Sequence, residues 1–294
     1  MKSKKTHVPV MVREVIKFLN VHLNSRIIDA TLGYGGHALR FIEKGAVVLG
    51  IEDDPETFAE VTKQFKSVDI GRSKFVNDNF INIDAIAKAE GFEKVDGILL
   101  DLGVNTPQLV SETRGFSFSN ESAPLDMRLN QITNSVKASD LLNNLREDQL
   151  IALFDEFGVP SAKRLTRLII KRREGVRFQT VGDLLGVVSK LPVRRGKINP
   201  ATNVFMALRI AVNSENENLK IALPKAFNLL KQSGRMAVIS FHSGEDRVVK
   251  RFFRSIESEN RGTLILKKPI APSVDEVAAN KSARSAKLRV IEKL

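Results

Sequence analysis

A set of carboxylates and a run of glycines are the residues whose types and spacing could do chemistry here. Asp29 stands just before Thr31-Leu32-Gly33-Tyr34-Gly35-Gly36-His37. Glu52, Asp53 and Asp54 close the apolar run Ala46-Val47-Val48-Leu49-Gly50-Ile51, and Asp101 closes Val95-Asp96-Gly97-Ile98-Leu99-Leu100. If these runs are neighbouring parallel strands, several acids converge on one crevice. Pyrophosphate would be repelled there, whereas an ammonium, a sulfonium and ribose hydroxyls would be welcome. That set of groups describes S-adenosylmethionine better than NAD. Glu52 also lies about twenty residues past the first glycine, where an acid can accept from both ribose hydroxyls.

The glycines sit where a strand should hand over to a helix. Arg26 to Asp29 is a short β-branched run, and Ala38-Leu39-Arg40-Phe41-Ile42 has helical spacing. Glycine lets the backbone turn sharply and lie close to a ligand, because no Cβ stands in the way. The helix beyond starts with unpaired N–H groups. Gly33, Gly35 and Ala38 also fit G-x-G-x-x-A, so a dinucleotide fold, and a dehydrogenase, is one reading of the stretch.

The elements that would position these residues alternate. Helical spacing covers Val10 to Leu19, Pro55 to Phe65 and Ile83 to Ala89, and the intervening apolar runs end in a strand at Val95 to Leu100. Such a β-α rhythm predicts a parallel sheet covered on both faces. From about Gln108 to Asn199 no strand is predicted. Helices are expected at Ala138 to Asn144, Glu147 to Phe157, Ser161 to Glu174 and Val181 to Leu191, separated by glycine and proline. Asn199-Pro200 caps a further helix, Arg235 to Phe241 returns to strand, and Thr263 to Leu266 with Lys287 to Ile291 form a closing strand pair. The expected division is therefore 1–107, a helical insertion at 108–199, and 200–294.

With 294 residues and a net charge of +12, the chain holds one large domain or two and is strongly basic. An acidic crevice in a basic protein points to a cationic small ligand and a polyanionic partner, foremost a nucleic acid. Cysteine is absent and there are 4 histidines, so neither disulfides nor a metal site is expected. No apolar run reaches membrane length and no signal-length segment follows the basic start, which predicts a cytoplasmic protein without membrane contact.

Three further features each carry two readings. On the helix Ser161 to Glu174, Lys163, Arg164, Arg167 and Lys171 share a face opposite Leu165 and Ile169, with Arg172, Arg173, Arg177, Arg194, Arg195 and Lys197 close by. That face is either solvated or binds phosphates. Phe116 and Phe118 either stack on a base or plug the junction of insert and sheet. His242 either orients a substrate base or belongs to a helix-capping turn, with Ser243 and Asp246 at capping-box spacing.

Longer motifs reach across the chain. They are Thr31 to His37, Leu99-Leu100-Asp101-Leu102-Gly103-Val104, Pro107-Gln108-Leu109, Arg114-Gly115-Phe116-Ser117-Phe118 and Pro124-Leu125-Asp126-Met127-Arg128. Pro200-Ala201-Thr202, Ile239-Ser240-Phe241-His242-Ser243 with Glu245-Asp246-Arg247, and Ser282 to Arg289 follow. In this order they closely resemble the bacterial small-subunit ribosomal RNA cytosine-N4 methyltransferases, the MraW/RsmH family. The resemblance implies a Rossmann-like S-adenosylmethionine-dependent methyltransferase sheet with an inserted all-helical domain for RNA recognition. It implies methylation of the N4 amine of a cytidine in the decoding region of 16S ribosomal RNA within the small subunit. It places the donor on Gly35, Gly36, His37, Glu52, Phe80, Asp101 and Gln108, names no catalytic residue, and leaves open a homodimer.

The chain departs from the family pattern in three places. Glu52 replaces the usual Asp, and both acids can take ribose hydroxyls. Asn105-Thr106 stands for Ser-Ser, and Gly158-Val159-Pro160 stands for Gly-Glu-Glu in the insert. The alternatives to this reading are a methyltransferase of the same fold acting on another RNA or a protein, and a non-enzymatic RNA-binding assembly factor.

Overall fold

The computed structural model describes residues 8–192 and 199–294. The chain divides into two compact units: the chain up to Asn105 joined by Asn216–Leu294, and Thr106–Glu215.

The first unit is built on a 7-stranded sheet, β1 (Arg26–Asp29), β2 (Val47–Glu52), β3 (Lys74–Asn77), β4 (Val95–Asp101), β5 (Leu230–Ser240), β6 (Gly262–Leu264) and β7 (Lys287–Lys293), in the order β3-β2-β1-β4-β5-β7-β6. β1 to β5 run parallel, while β7 is antiparallel to both β5 and β6. The expected closing pair is thus part of the same sheet. The strand order reverses between β1 and β4, which puts a crevice beyond their carboxyl ends.

Alternation along the strands explains the two-sided burial. Ile28, Leu49, Ile98, Leu100 and Val238 face one core. Ile27, Val48, Leu99, Ala237 and Ile239 face the other. Each of these side chains is at most 1 % exposed, and burying one of the Val, Leu or Ile side chains contributes about 1.5–3 kcal/mol.

The helices covering this sheet are α1 (Val12–Phe18), α2 (Gly36–Glu43), α3 (Pro55–Phe65) and α4 (Ile83–Glu90) from the first segment. Local chemistry fixes their ends. Asp54 accepts from the Glu56 N–H at 3.1 Å and Pro55 opens α3, while Gly91 closes α4 at φ +75°.

The second unit is helical: α5 (Thr106–Leu109), α6 (Ala138–Asn144), α7 (Glu147–Glu156), α8 (Ala162–Gly175), α9 (Val181–Val188) and α10 (Pro200–Val212). Among the described residues its β-character is one isolated bridge between Pro124 and Thr180. α10 belongs to this unit, which runs on to Glu215 rather than ending at residue 199. Asn213 explains why: its side chain accepts from Leu129 N–H and donates to the Met127 carbonyl, both at 2.8 Å. The chain then returns to the sheet through α11 (Glu215–Leu229), α12 (Ser243–Ser258) and α13 (Val274–Ala279). α11 ends and β5 begins five residues before the strand predicted from Arg235.

Candidate functional site

The glycine turn is held by backbone bonds to both neighbouring strands. Ala30 N–H donates to the Leu99 carbonyl at 2.9 Å and Leu32 N–H to the Ile51 carbonyl at 2.8 Å. Gly33 and Gly35 lie at φ +53° and +74°, the left-handed region that favours glycine. At two positions packing adds a second reason for glycine. A Cβ on Gly35 would collide with the Phe65 ring at Cε2, and one on Gly36 would stand 2.8 Å from Pro9 Cγ. Their missing side chains make room for the protein's own packing. At Gly33 a Cβ would meet nothing closer than 3.9 Å. Gly35 caps α2 without a side-chain acceptor, so no cap covers that end of the helix.

Glu52 ties the end of β2 to this turn. Its Oε2 accepts from Gly33 N–H at 2.8 Å and its Oε1 from Asp54 N–H at 2.9 Å. Burial pushes its carboxyl up to about 7, against the pull of those two N–H groups, and the adjacent Asp54 and Asp53 push the same way. Asp53 in turn accepts from the Asn79 side chain at 2.9 Å. Asn79 caps the 3-10 turn Phe80–Asn82, and Phe80 packs half-buried against the sheet core. Asn79 therefore links the acids after β2 to the aromatic after β3. Its turn-forming place in Asn77-Asp78-Asn79 was its only sequence signal.

The ends of β1 and β4 carry two buried acids. Asp29 is 1 % exposed; its Oδ1 accepts from Thr31 N–H at 3.3 Å and its Oδ2 has no partner. Burial raises its carboxyl to about 7. Asp101 Oδ1 is also buried without a partner, while Thr31 Oγ1 accepts the Asp101 backbone N–H at 2.6 Å. Burial, then the charges of Asp29 and Glu245, hold the Asp101 carboxyl well above the usual range. His37, 5 % exposed, stands beside it with Nδ1 3.6 Å from Asp101 Oδ2. The carboxylates converge as the strand ends require, and a cation would relieve their mutual cost.

Other residues singled out in the sequence lie in the second unit and after β5. Gln108 is buried in α5 of the second unit. Phe116 is buried, and Phe118, 40 % exposed, packs edge-on against Phe205 at 5.6 Å. The capping reading of His242 is the one realised, with different partners: its Nδ1 accepts from Gly244 and Glu245 N–H at 3.2 and 3.3 Å, and Glu245 Oε2 accepts Phe241 N–H at 2.8 Å. On α8, Lys163, Arg164, Arg167 and Lys171 are exposed. Arg172 and Arg173 are engaged instead. Arg172 pairs with Asp183, and Arg173 donates to the Leu142 and Leu145 carbonyls at 2.8 and 2.7 Å. Arg194, Arg195 and Lys197 lie outside the described residues.

The family model described as the MraW methylase family matches residues 4–294. The chain belongs to this family. A relative from Coprothermobacter proteolyticus, named ribosomal RNA small subunit methyltransferase H, is 40% identical over 290 residues, 98% of this chain and 96% of its own. One of the same name from Thermotoga neapolitana is 42% identical over 295 residues, 97% and 95% of the two chains. Among solved structures, an rRNA methylase from Streptococcus thermophilus aligns over 98% of this chain and 99% of its own at 13% identity, with a TM-score of 0.45.

Two of the long motifs of this methylase family are braces. Asp126 holds Arg128 through two 2.7 Å bonds, and Arg128 Nη1 donates to the Asn134 carbonyl at 2.8 Å. Asp246 on α12 accepts from Arg289 Nε on β7 at 2.7 Å. Charge-assisted pairs of this kind fix a loop or a helix against a strand.

Proposed function

We propose that this methyltransferase transfers a methyl group from S-adenosylmethionine to the N4 amine of a cytidine in the decoding region of small-subunit ribosomal RNA. The observation that carries the donor is the pair of orphaned buried oxygens, Asp29 Oδ2 and Asp101 Oδ1, at the ends of adjacent strands. An unpaired buried acceptor is costly, and a cationic donor group repairs it. Bound there, S-adenosylmethionine supplies a methyl group activated by its sulfonium.

The chain's own residues do the rest. Glu52 uses the remaining lone pairs of its two oxygens to accept ribose hydroxyls, its bonds to Gly33 and Asp54 having fixed the carboxylate. Asp101 and Asp29 accept from an ammonium. Phe80 packs beside an adenine, and Gly35, Gly36 and His37 present backbone at the start of α2. The target N4 lone pair is delocalised into the ring and attacks poorly, so in-line placement supplies much of the acceleration. A carboxylate near the sulfonium stabilises the ground state, whose charge is lost in transfer, so these acids serve binding rather than rate. The second unit supplies RNA recognition, with the α8 cations on phosphates.

Incubation with labelled donor and purified small ribosomal subunits, followed by nucleoside analysis, tests this reading. The expected product is N4-methylcytidine at one decoding-region position. A different methylated nucleoside, or label in protein, would reject the substrate assignment.

A further inference from the structure

α12 carries a second cationic face, on the methyltransferase unit itself. Val249, Phe253 and Ile256 are buried against the sheet. On the opposite side Arg247, Lys250, Arg251 and Arg254 follow the i, i+3, i+4, i+7 pattern of one helix face, and all are exposed. Among the described residues none makes an ion pair, although Lys250 lies near enough to Asp246, which Arg289 already holds, to help lower its carboxyl. The nearby acids are accounted for: Asp246 holds Arg289 and Lys287, Glu245 is buried in the His242 cap, and Glu259 pairs with Arg261. Glu257 is exposed and stands beyond the last cation. Arg247 with Arg251 and Lys250 with Arg254 are like-charge i, i+4 pairs, which destabilise a helix in isolation. Lys287 Nζ, 3.8 Å from Asp246, flanks the first turn of α12 with a fifth cation.

We propose that this face is a docking rail for the sugar-phosphate backbone of the RNA, separate from the α8 cations. The inference rests on the RNA substrate of the proposed function. Two observations favour RNA over other polyanions. First, α12 departs from the end of β5, where Ile239 pairs with Asp101 of β4, so the rail begins at the sheet edge that carries the acid site. Second, the apolar face of α12 is spent on the core, which leaves nothing to insert into a lipid surface. From Arg247 to Arg254 the rail spans about 10 Å, the length of about three nucleotides of a helical strand.

The test replaces Arg247, Lys250, Arg251 and Arg254 together by Ala, which favours helix and keeps the buried face. Binding of purified small-subunit rRNA is measured across a salt series, alongside donor calorimetry and thermal melting. Four lost phosphate contacts should reduce the slope of log K against log salt by about 3 and weaken binding at least tenfold. Donor affinity should match the parent chain, and melting should equal or exceed it, since two like-charge pairs are removed. A parent-like salt slope overturns the rail while leaving the proposed function standing. Failure of the parent chain to bind the rRNA overturns both. Loss of binding to anionic vesicles or to polyglutamate, with rRNA binding unchanged, reassigns the face and also overturns the rail.

Discussion

His37 is locked between two oxygens: its Nε2 stands 2.9 Å from the Val10 carbonyl and its Nδ1 3.6 Å from Asp101 Oδ2. A carbonyl only accepts, so Nε2 carries the hydrogen. In a neutral His37, Nδ1 then turns a lone pair toward Asp101. The contact is favourable only with one further proton, on Nδ1 or on the carboxyl. The raised Asp101 carboxyl supplies it. Asp101→Asn keeps an acceptor oxygen and removes the buried charge. It should weaken donor binding about tenfold to a hundredfold, a charge-assisted bond's worth, with rate recovered at saturating donor. Single-turnover kinetics separate this from a role on the target amine, for which saturation would not rescue the rate.

Asp29 and Glu52 make donor binding depend on pH. Their ordinary values are 3.8 and 4.5, and both are raised to about 7 in the fold. Between these limits the folded state binds more protons than the unfolded chain, so the two groups contribute stability at low pH that is lost as pH rises to about 7. A cationic donor favours the ionised form. Donor affinity should therefore rise from about pH 6 to about pH 8, with proton release on binding. Melting of the donor-free protein should fall from about pH 4 to about pH 7, the interval between the ordinary and the raised values. Calorimetry in two buffers of different ionisation enthalpy reads the proton release; a pH-independent affinity without it would remove these acids from the donor site.

Gly35 tests which reason for the glycine turn is right. Gly35→Ala should destabilise the fold by about 2–5 kcal/mol, from the left-handed backbone and the collision with Phe65. Shortening the ring with Phe65→Ala in the same chain relieves the collision but leaves its own cavity. Gly33→Ala meets open space and should lose only about 1–2 kcal/mol. Thermal melting orders these variants. Equal loss at the two glycines would restore the view that close ligand approach, rather than packing, selects both.

Strand ends and their acids were legible because alternation and chain order are local signals. Asp29, Glu52 and Asp101 reach one edge of the sheet simply because β2, β1 and β4 are parallel neighbours. What lay behind the glycines was not legible. Phe65 sits thirty residues from Gly35 in the chain, and only the tertiary path of α3 brings it there. The same holds for Asn213, which reads as a loop residue until it clamps Met127 and Leu129 and draws α10 into the second unit. The capping turn at His242 is legible as one of two readings, but its residues are not, because Ser243 is a better cap by type and His242 the one that geometry uses.

The α8 face gives the last expectation. Arg164, Arg167 and Lys171 are exposed, whereas Arg172 and Arg173, equally basic in sequence, are consumed by Asp183 and by the carbonyls that end α6. Charge alone cannot separate these two groups; partners do. Replacing Arg164, Arg167 and Lys171 by Ala should leave melting within about 0.5 kcal/mol per site of the parent, as for surface positions without partners. It should lower the rRNA salt slope by about 2 and leave donor affinity intact. Arg173→Ala should instead lower stability by about 1–3 kcal/mol by stranding two carbonyls. If the triple variant keeps the parent salt slope, the exposed cations of α8 are a solvated face, and the RNA contacts of the second unit must be sought elsewhere.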